Sequence, residues 1–163
     1  MITWNEFKQQ QAALAETGRQ HFYQFGIGQG FLATVRPDGG PRVHPVCPVI
    51  SPAGLHLLVI AGPKQDDLRR DGRYALHSET SLPPRQDDGF ALAGQVREVT
   101  DAAVRQVVRA RVLAERDGTV WPSFDEDVIF ELVIERALLI LTKADGPFPA
   151  GPTSWKEGNR PGT

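Results

Sequence analysis

The first half of the chain alternates short apolar, β-branched runs with turn residues, a pattern that predicts strands joined by tight turns. Phe31–Arg36 is the first run, and it stops at Pro37–Gly40, where proline, aspartate and glycine all favour a turn. The pattern resumes over Pro41–Ile50, so these two runs predict a hairpin. Ser51–Gly54 predicts a second turn, and Leu55–Ala61 predicts a third strand.

Proline occurs three times in the second of these runs, at Pro41, Pro45 and Pro48. Because proline has no amide hydrogen to donate to a neighbouring strand, it is confined to edge strands, strand starts and irregular positions. The second strand is therefore predicted to be irregular or to lie at an edge of the sheet. Backbone groups left free in this way would be available to a ligand.

A short helix is predicted directly after the third strand. Gly62–Pro63 ends the strand, and Lys64–Asp71 follows as the helix, with Leu68 as its buried contact. Gly72 is a favourable C-terminal stop, and Tyr74–His77 returns to a strand. Lys64 is thus expected in the first turn of a helix, where free amides and the helix dipole favour anions.

Two further helices are predicted, one near the N-terminus and one in the second half of the chain. Thr3 and Glu6 have capping-box spacing, which predicts a helix over Glu6–Glu16. Asp101 is a candidate N-cap for a helix over Ala102–Ala114. The apolar residues expected to face the core on this second helix are Val104, Val107, Val108, Val112 and Leu113.

The remaining strands complete an antiparallel barrel with flanking helices, so the predicted fold class is mainly β. Phe90–Val99 predicts one strand, and Asp127–Thr142 predicts a hairpin that turns near Glu135–Arg136. Residues 1–145 are expected to form a single domain, since a chain of 163 residues has the size of one. Residues 146–163 contain many prolines and glycines and are expected to form an irregular tail.

Composition argues against several classes of function. The formal net charge is −2 and no basic run is present, which argues against nucleic-acid binding. No apolar run reaches the roughly 18–20 residues that span a membrane, and the N-terminus lacks the pattern of a signal peptide. The single cysteine, Cys47, cannot form an internal disulfide, so a cytoplasmic location is the default expectation. Cys47 itself is expected to be a small buried residue.

Three segments carry a resemblance to a known family: ATVRPDGGPRVHPV, PKQDDLRRDGRYALH and the later strand FALAGQVREV. In this order and spacing they resemble the FMN-binding split β-barrels related to pyridoxamine 5′-phosphate oxidase. The resemblance implies an antiparallel split β-barrel that forms a homodimer with FMN at its interface. It also implies an oxidoreductase that transfers a hydride or electrons through flavin N5 to or from a small-molecule substrate.

The same resemblance implies a set of cofactor-binding positions. Arg42 and Lys64 would hold the FMN phosphate, since arginine can bind two of its oxygens and lysine adds a point charge. His44 shares a strand face with Arg42 and would contact the flavin ring or the substrate. The full set of implied cofactor-binding residues is Arg42, Val43, His44, Pro45, Ile60, Ala61, Lys64, Arg69 and Gln95. No catalytic residue is assigned.

Each of these positions also has a plainer interpretation. Arg42 and Lys64 would be solvated surface charges, and His44 would only satisfy a backbone partner. Arg69 and Arg70 share the short helix with Lys64, and one of them is expected to help hold the phosphate. The aromatic residues near the C-terminus would cover the flavin pocket, cover a partner subunit, or dock on the protein's own surface. They are Trp121, Phe124, Phe148 and Trp155.

Other cofactors are compatible with the same pattern. Related split barrels use F420, whose acidic tail Arg69, Arg70 and Arg73 would contact, or haem, for which His44 or His77 would be an axial ligand. A flavin-binding protein without catalysis is a third alternative. The C-terminal sequence LLILTKADGPFPAGPTSWKEG lacks the arginine- and proline-containing signature of pyridoxamine phosphate oxidases, so vitamin B6 oxidation is not assigned. No group of histidine, cysteine and acidic residues has metal-ligand spacing, and no metal is expected.

Overall fold

The computed structural model describes residues 1–142 and 152–158, which form four helices and one eight-stranded sheet. The helices are α1 (Trp4–Gln10), α2 (Ala12–Phe22), α3 (Pro63–Arg70) and α4 (Ala102–Glu115). The strands are β1 (Gly30–Val35), β2 (Pro41–Val46), β3 (Val49–Ser51), β4 (Gly54–Val59), β5 (Arg73–Ser78), β6 (Gly89–Glu98), β7 (Val128–Ile140) and β8 (Thr153–Lys156). None of the described helices is both long and apolar enough to cross a membrane.

The sheet is antiparallel throughout and curls into a half-barrel with helices at its flanks, as the sequence predicts. Its strand order is β2-β1-β5-β6-β7-β4-β3, and β8 also pairs with β7. The turn between β1 and β2 contains Gly39 at φ 82°, a left-handed conformation that glycine adopts without strain. The predicted edge position of β2 is confirmed. The run Pro41–Ile50 is not one strand, however, because pairing with β1 stops at Val46 and β3 then pairs with β4 instead.

The segment predicted as a hairpin over Asp127–Thr142 is a single strand, β7. The polar pair at its centre marks a bulge, because Ala93 on β6 faces Arg136 while the next residue faces Ile134. Glu135 is therefore the extra residue, and the strand bends there without reversing. Gly94 is required at this point, since a Cβ on it would lie 2.0 Å from the carbonyl oxygen of Val133.

The main core lies between the inner face of the sheet and the N-terminal helices. The capping box of Thr3 and Glu6 is confirmed, but the predicted helix is two helices, which break at Gln11 where φ is −136°. The rings of Phe22 on α2 and Phe90 on β6 meet edge to face at 5.5 Å. The largest fully buried side chains are Phe7, Phe22, Phe90, Phe130, Leu32, Leu55, Leu57, Leu76, Leu92, Ile129, Leu132 and Ile134.

Part of the predicted irregular tail is ordered. β8 pairs with Arg136–Leu139 of β7, and its Trp155 packs edge to face on Phe7 at a centroid distance of 5.0 Å. Trp155 thus docks on the protein's own core. Phe148 lies outside the described residues.

A second, smaller core forms where α4 packs on the other side of the sheet. Asp101 caps α4 as predicted, and Val108 and Val112 are buried against Val49, Phe124 and Ile129. The predicted burial of Val107 and Leu113 is wrong, since they are 39% and 37% exposed. The residues of α4 that meet the sheet are Val104, Val108 and Val112, which are spaced by four along one side of the helix. Val107 and Leu113 lie outside this row.

Folding stability is expected to depend on pH through His56, a residue of β4 that is 1% exposed. Burial lowers the pKa of His56 from 6.5 to about 4, an effect that the nearby backbone of Gly54 only partly offsets. The unfolded chain therefore takes up a proton at this histidine between those pH values while the folded chain does not. The free energy of unfolding should fall as pH falls through that window, by about 3 kcal/mol from this residue alone.

The measurement is urea unfolding at several pH values for the parent chain and for His56→Leu. The variant should lose about 3 kcal/mol of the parent's pH dependence between pH ~6.5 and ~4. His77→Gln, at an exposed histidine, is the matched control and should retain it because His56 is still present. Equal pH dependence in the parent and His56→Leu would contradict the assignment.

Candidate functional site

Helix α3 is fixed at the end of β4 and brings Lys64 there, close to the predicted boundaries. Pro63 opens the helix, and Leu68, 2% exposed, attaches it to the main core. The side-chain amide of Gln65 donates to the carbonyl oxygen of Val59 at 2.9 Å. This contact locks the first turn of α3 onto the end of the strand, so Lys64 is held in the first helical turn as the sequence predicts.

Asp67 connects three elements of the site through a buried carboxylate that is 2% exposed. Its Oδ2 accepts from the Thr34 hydroxyl of β1 at 3.0 Å and from Arg42 Nε of β2 at 2.8 Å. Its Oδ1 accepts from Arg70 Nη1 of α3 at 3.1 Å. Sequence reasoning missed Asp67, although its spacing of three residues from Arg70 on a helix was a usable signal.

These hydrogen bonds also fix the charge of Asp67. Burial alone would raise its pKa, but the donors Arg42, Thr34 and Arg70 together outweigh burial and hold the pKa below its ordinary value. The carboxylate is therefore ionised at neutral pH. It acts as a permanent anchor for the guanidinium of Arg42.

Arg42, His44 and Lys64 lie close enough to influence one another electrostatically. Burial lowers the pKa of His44, and the charges of Lys64 and Arg42 lower it further. His44 Nε2 is buried without a hydrogen-bond partner in the described part of the chain. Among the same residues, Arg42 uses only its Nε in a hydrogen bond, and Lys64 forms no ion pair within 4.0 Å. Burial also lowers the pKa of Lys64.

A pocket of about 210 Å³ lies beside this cluster, between the end of β2, the end of β4 and the C-terminal end of α4. Its lining is Pro45, Val46, Cys47, Val49, Leu58, Ile60, Lys64, Val112, Glu115, Arg116 and Trp121. Three of the predicted cofactor-binding residues, Pro45, Ile60 and Lys64, therefore share one cavity. Its wall is largely apolar, with charged side chains at particular points.

The expected burial of Cys47 is wrong, because this thiol is exposed and lines the pocket. Cys47 follows the last residue of β2 that pairs with β1, where the chain leaves the sheet to begin β3. Of the two residues in that short connection, Pro48 is buried and Cys47 is exposed. The small size and weak polarity of cysteine, on which the prediction rested, do not determine its burial in a connection between two strands.

Six predicted site residues do not line this pocket, and Arg42 and His44 are two of them. Val43 lies on the same face of β2 as Pro45 but is 62% exposed and outside the pocket, and Ala61 is exposed beyond the end of β4. Arg69 forms a two-pronged ion pair with Glu98, through Nε at 2.9 Å and Nη2 at 3.1 Å. Gln95 is exposed on β6. Their contact with a cofactor stays a prediction.

The far end of the pocket was not predicted as part of the site. There, Glu115 Oε1 accepts from the Tyr23 hydroxyl at 2.8 Å and from Arg111 Nε at 2.6 Å. The Tyr23 hydroxyl in turn accepts from the Ile50 amide at 2.8 Å, and burial raises the pKa of Tyr23. Glu115 thus has its charge matched within the protein. Contacts between residues so far apart in sequence leave no local signal.

Arg116 follows Glu115 and stands over the ring of Trp121, with its guanidinium carbon 5.6 Å from the ring centroid. Trp121 is held by a hydrogen bond from its Nε1 to Asp127 Oδ2 at 2.7 Å and by an edge contact with Phe124 at 5.3 Å. Of the positions considered for the aromatic residues, Trp121 takes the one beside the pocket. In the described residues, no three histidine, cysteine or acidic side chains are grouped to hold a metal ion.

No family model matches the sequence, and no curated protein matches it. Solved structures do match. A candidate pyridoxamine 5′-phosphate oxidase from Listeria innocua matches with a TM-score of 0.60 at 14% identity, covering 76% of this chain and 95% of that one. An F420 reductase matches with a TM-score of 0.54 at 18% identity, covering 82% of this chain and 94% of that one.

A haem-binding protein from Mycobacterium smegmatis matches with a TM-score of 0.60 at 16% identity, over 85% of this chain. The match spans only 57% of that longer protein. At these identities the likeness concerns the fold, and it agrees with the strand order and the flanking helices described above. The chain has the split β-barrel fold of the pyridoxamine 5′-phosphate oxidase-like proteins.

Proposed function

We propose that this chain binds FMN and acts as a flavin-dependent oxidoreductase on a small-molecule substrate. The observation that carries the proposal is the cluster of Arg42, His44 and Lys64, of which Lys64 lines the pocket. In the described residues, Asp67 engages only Nε of Arg42, His44 Nε2 has no hydrogen-bond partner, and Lys64 forms no ion pair within 4.0 Å. Buried or half-buried donors without partners are costly, so a ligand that satisfies them is favoured. A phosphate attached to a flat apolar ring supplies both kinds of contact.

The three side chains fit a phosphate by chemistry as well as by position. Asp67 engages Nε of Arg42 and leaves its two terminal nitrogens for a ligand, which are the atoms that bind phosphate oxygens in pairs. Neutral His44 can donate from Nε2 in the appropriate tautomer. Lys64 adds a positive charge that forms no ion pair within 4.0 Å in the described residues, although Asp127 acts on it at longer range. These residues would bind the phosphate and set the direction in which the ring enters the pocket.

The apolar walls would orient the ring and exclude water from one of its faces. Pro45, near the end of β2, and Ile60, just after the end of β4, both line the pocket. When bound, FMN would supply the hydride or electron transfer at its N5, and the chain would supply binding and orientation.

We propose further that the cofactor site is completed by a second copy of the chain. The pocket of about 210 Å³ is smaller than the ~300–1,000 Å³ of most ligand sites. The outer face of the sheet is apolar where an antiparallel sheet facing water is usually polar. Phe31, Val43 and Leu138 on it are 38%, 62% and 37% exposed. Pro45 lies on this face and also lines the pocket, so a chain covering the face would reach the cofactor.

The test is an absorption spectrum of the purified protein, followed by FMN titration of the cofactor-free form. A flavin spectrum or micromolar FMN binding is expected, and the loaded protein should sediment as a dimer. Absence of FMN binding would contradict the cofactor assignment. Binding to a monomer would contradict the shared site alone.

Haem is a second candidate, and one observation favours it: His44 Nε2 has no hydrogen-bond partner in the described residues, so its lone pair would be available to iron. A Soret band in the same spectrum would identify it. F420 has less support, because the three arginines considered for its acidic tail are each paired within the chain. Arg69 pairs with Glu98, Arg70 with Asp67, and Arg73 with Asp71.

A further inference from the structure

We infer that Arg116, stacked on Trp121 at the far end of the pocket, binds a carboxylate of the substrate. This inference rests on the proposed function, because a phosphate held at the Lys64 end leaves Arg116 as the unmatched charge of the pocket. Oxidised FMN, the form present when substrate probes are added, carries its negative charge on the phosphate alone. A second anionic group would therefore come from another molecule.

The charge of Arg116 has no counterpart in the described part of the chain. Arg116 forms no ion pair within 4.0 Å there, and no side-chain hydrogen bond. The acidic residues on either side of it in sequence are Glu115 and Asp117. Glu115 Oε1 already receives hydrogen bonds from Tyr23 and Arg111, and Asp117 forms no ion pair with Arg116 within 4.0 Å. Arg116 therefore lines the pocket with its side-chain donors available.

The ring of Trp121, on which Arg116 stacks, is held in place by other residues. Trp121 is fixed by its bond to Asp127, which is 2% exposed, and by its edge contact with Phe124. Arg109 holds the segment that follows Trp121, because its Nη2 donates to the carbonyl oxygens of Asp125 at 2.8 Å and Asp127 at 3.1 Å. A guanidinium on a fixed indole ring loses little freedom when it binds a ligand, and its planar fork matches a carboxylate.

The lining of the pocket restricts the substrate class further. Apart from its charged residues it is mostly apolar, with Val49, Leu58 and Val112 among its residues. A flat apolar body with a carboxylate at one end satisfies both the wall and Arg116. The substrates that we assign to this site are therefore carboxylic acids with a planar body that is aromatic or conjugated.

Benzoate and its neutral counterpart benzamide are the probes. Titrated into the FMN-loaded protein and followed by the flavin absorption, benzoate should bind at least about tenfold more tightly than benzamide, since a charge-assisted contact separates them. In Arg116→Gln the two probes should bind alike, while FMN affinity stays unchanged. Arg105→Gln is the matched control, because Arg105 lies on the same helix, α4, but outside this pocket, and it should retain the preference.

A second readout separates this inference from the cofactor assignment. Trp121 fluorescence, assigned by comparison with Trp121→Phe, reports on ligands at Arg116 whether or not flavin is present. If FMN does not bind but benzoate still perturbs Trp121 in the parent and not in Arg116→Gln, the carboxylate site stands and the cofactor assignment fails. If FMN binds but the probes bind equally, or Arg116→Gln keeps the preference, the inference is overturned. A fall in FMN affinity in Arg116→Gln also overturns it, because Arg116 would then hold the cofactor.

Discussion

Replacing Lys64 with alanine is expected to lower the affinity for FMN by at least about tenfold, the effect of losing a charge-assisted contact worth ~1.5–3 kcal/mol. Lys64 is half-buried in the first turn of α3, its pKa is lowered by burial, and no described carboxylate pairs with it. The free protein thus holds this charge at a cost that a bound phosphate would remove. The measurement is quenching of flavin fluorescence on titration.

Riboflavin, which lacks the phosphate, makes this test specific. The parent should bind riboflavin more weakly than FMN. Lys64→Ala should reduce this preference by about tenfold without abolishing it, because Arg42 and His44 would still bind the phosphate. Lys8→Ala, at an exposed position of α1, is the control for general effects of removing a lysine. If Lys64→Ala kept the parent's preference for FMN over riboflavin undiminished, the phosphate assignment would be wrong.

Replacing Asp67 with asparagine should have the largest effect on stability, about 3 kcal/mol. The change removes a charge that is 2% exposed and holds Thr34, Arg42 and Arg70 together, and it presents an amide to donors. This loss of stability lies at the lower end of the range for breaking a buried ion pair, because the side chains of Arg42 and Arg70 keep some access to water. They are 29% and 40% exposed. Urea unfolding measures it.

The neighbouring change Asp66→Asn, at an exposed position of the same helix, is the control and should cost little. Because the pKa of Asp67 is lowered in the fold, its contribution is complete above the ordinary aspartate pKa and is lost as pH falls through the lowered value. Asp67→Asn should also weaken FMN binding, since Arg42 loses its anchor. A stability within about 0.5 kcal/mol of the parent would show that the network is not a structural anchor.

Local signals were sufficient for much of the fold. The prolines of β2 predicted an edge strand, Gly62 and Pro63 located the start of α3, and Thr3 with Glu6 predicted the N-terminal cap. Each of these features depends on a few neighbouring residues and on backbone chemistry. The wrong predictions had a different cause: Glu135 was interpreted as part of a turn, whereas its pairing is decided by the register of another strand.

Only the part of the candidate site that is formed by β2 and α3 could be predicted from the sequence. Lys64 and His44 lie on elements whose local patterns were clear, and they do interact in the structure. The anchoring of Arg42 by Asp67 depends on how α3 packs across β1 and β2, which no local pattern encodes. Arg116 and Trp121 join the pocket because α4 packs on the outer side of the sheet, a contact between distant parts of the sequence.

The edges of the open sheet have a consequence for self-association. Exposed edge strands are templates on which other chains can add strands and aggregate. In the described residues the edge strands are β2, where Pro41 and Pro45 cannot donate to an added strand, and β3 and β8, which are only 3 and 4 residues long. None of these edges offers a long continuous ladder. Copies of this chain should therefore resist intermolecular sheet growth at high concentration, and any stable association should occur through the faces of the sheet.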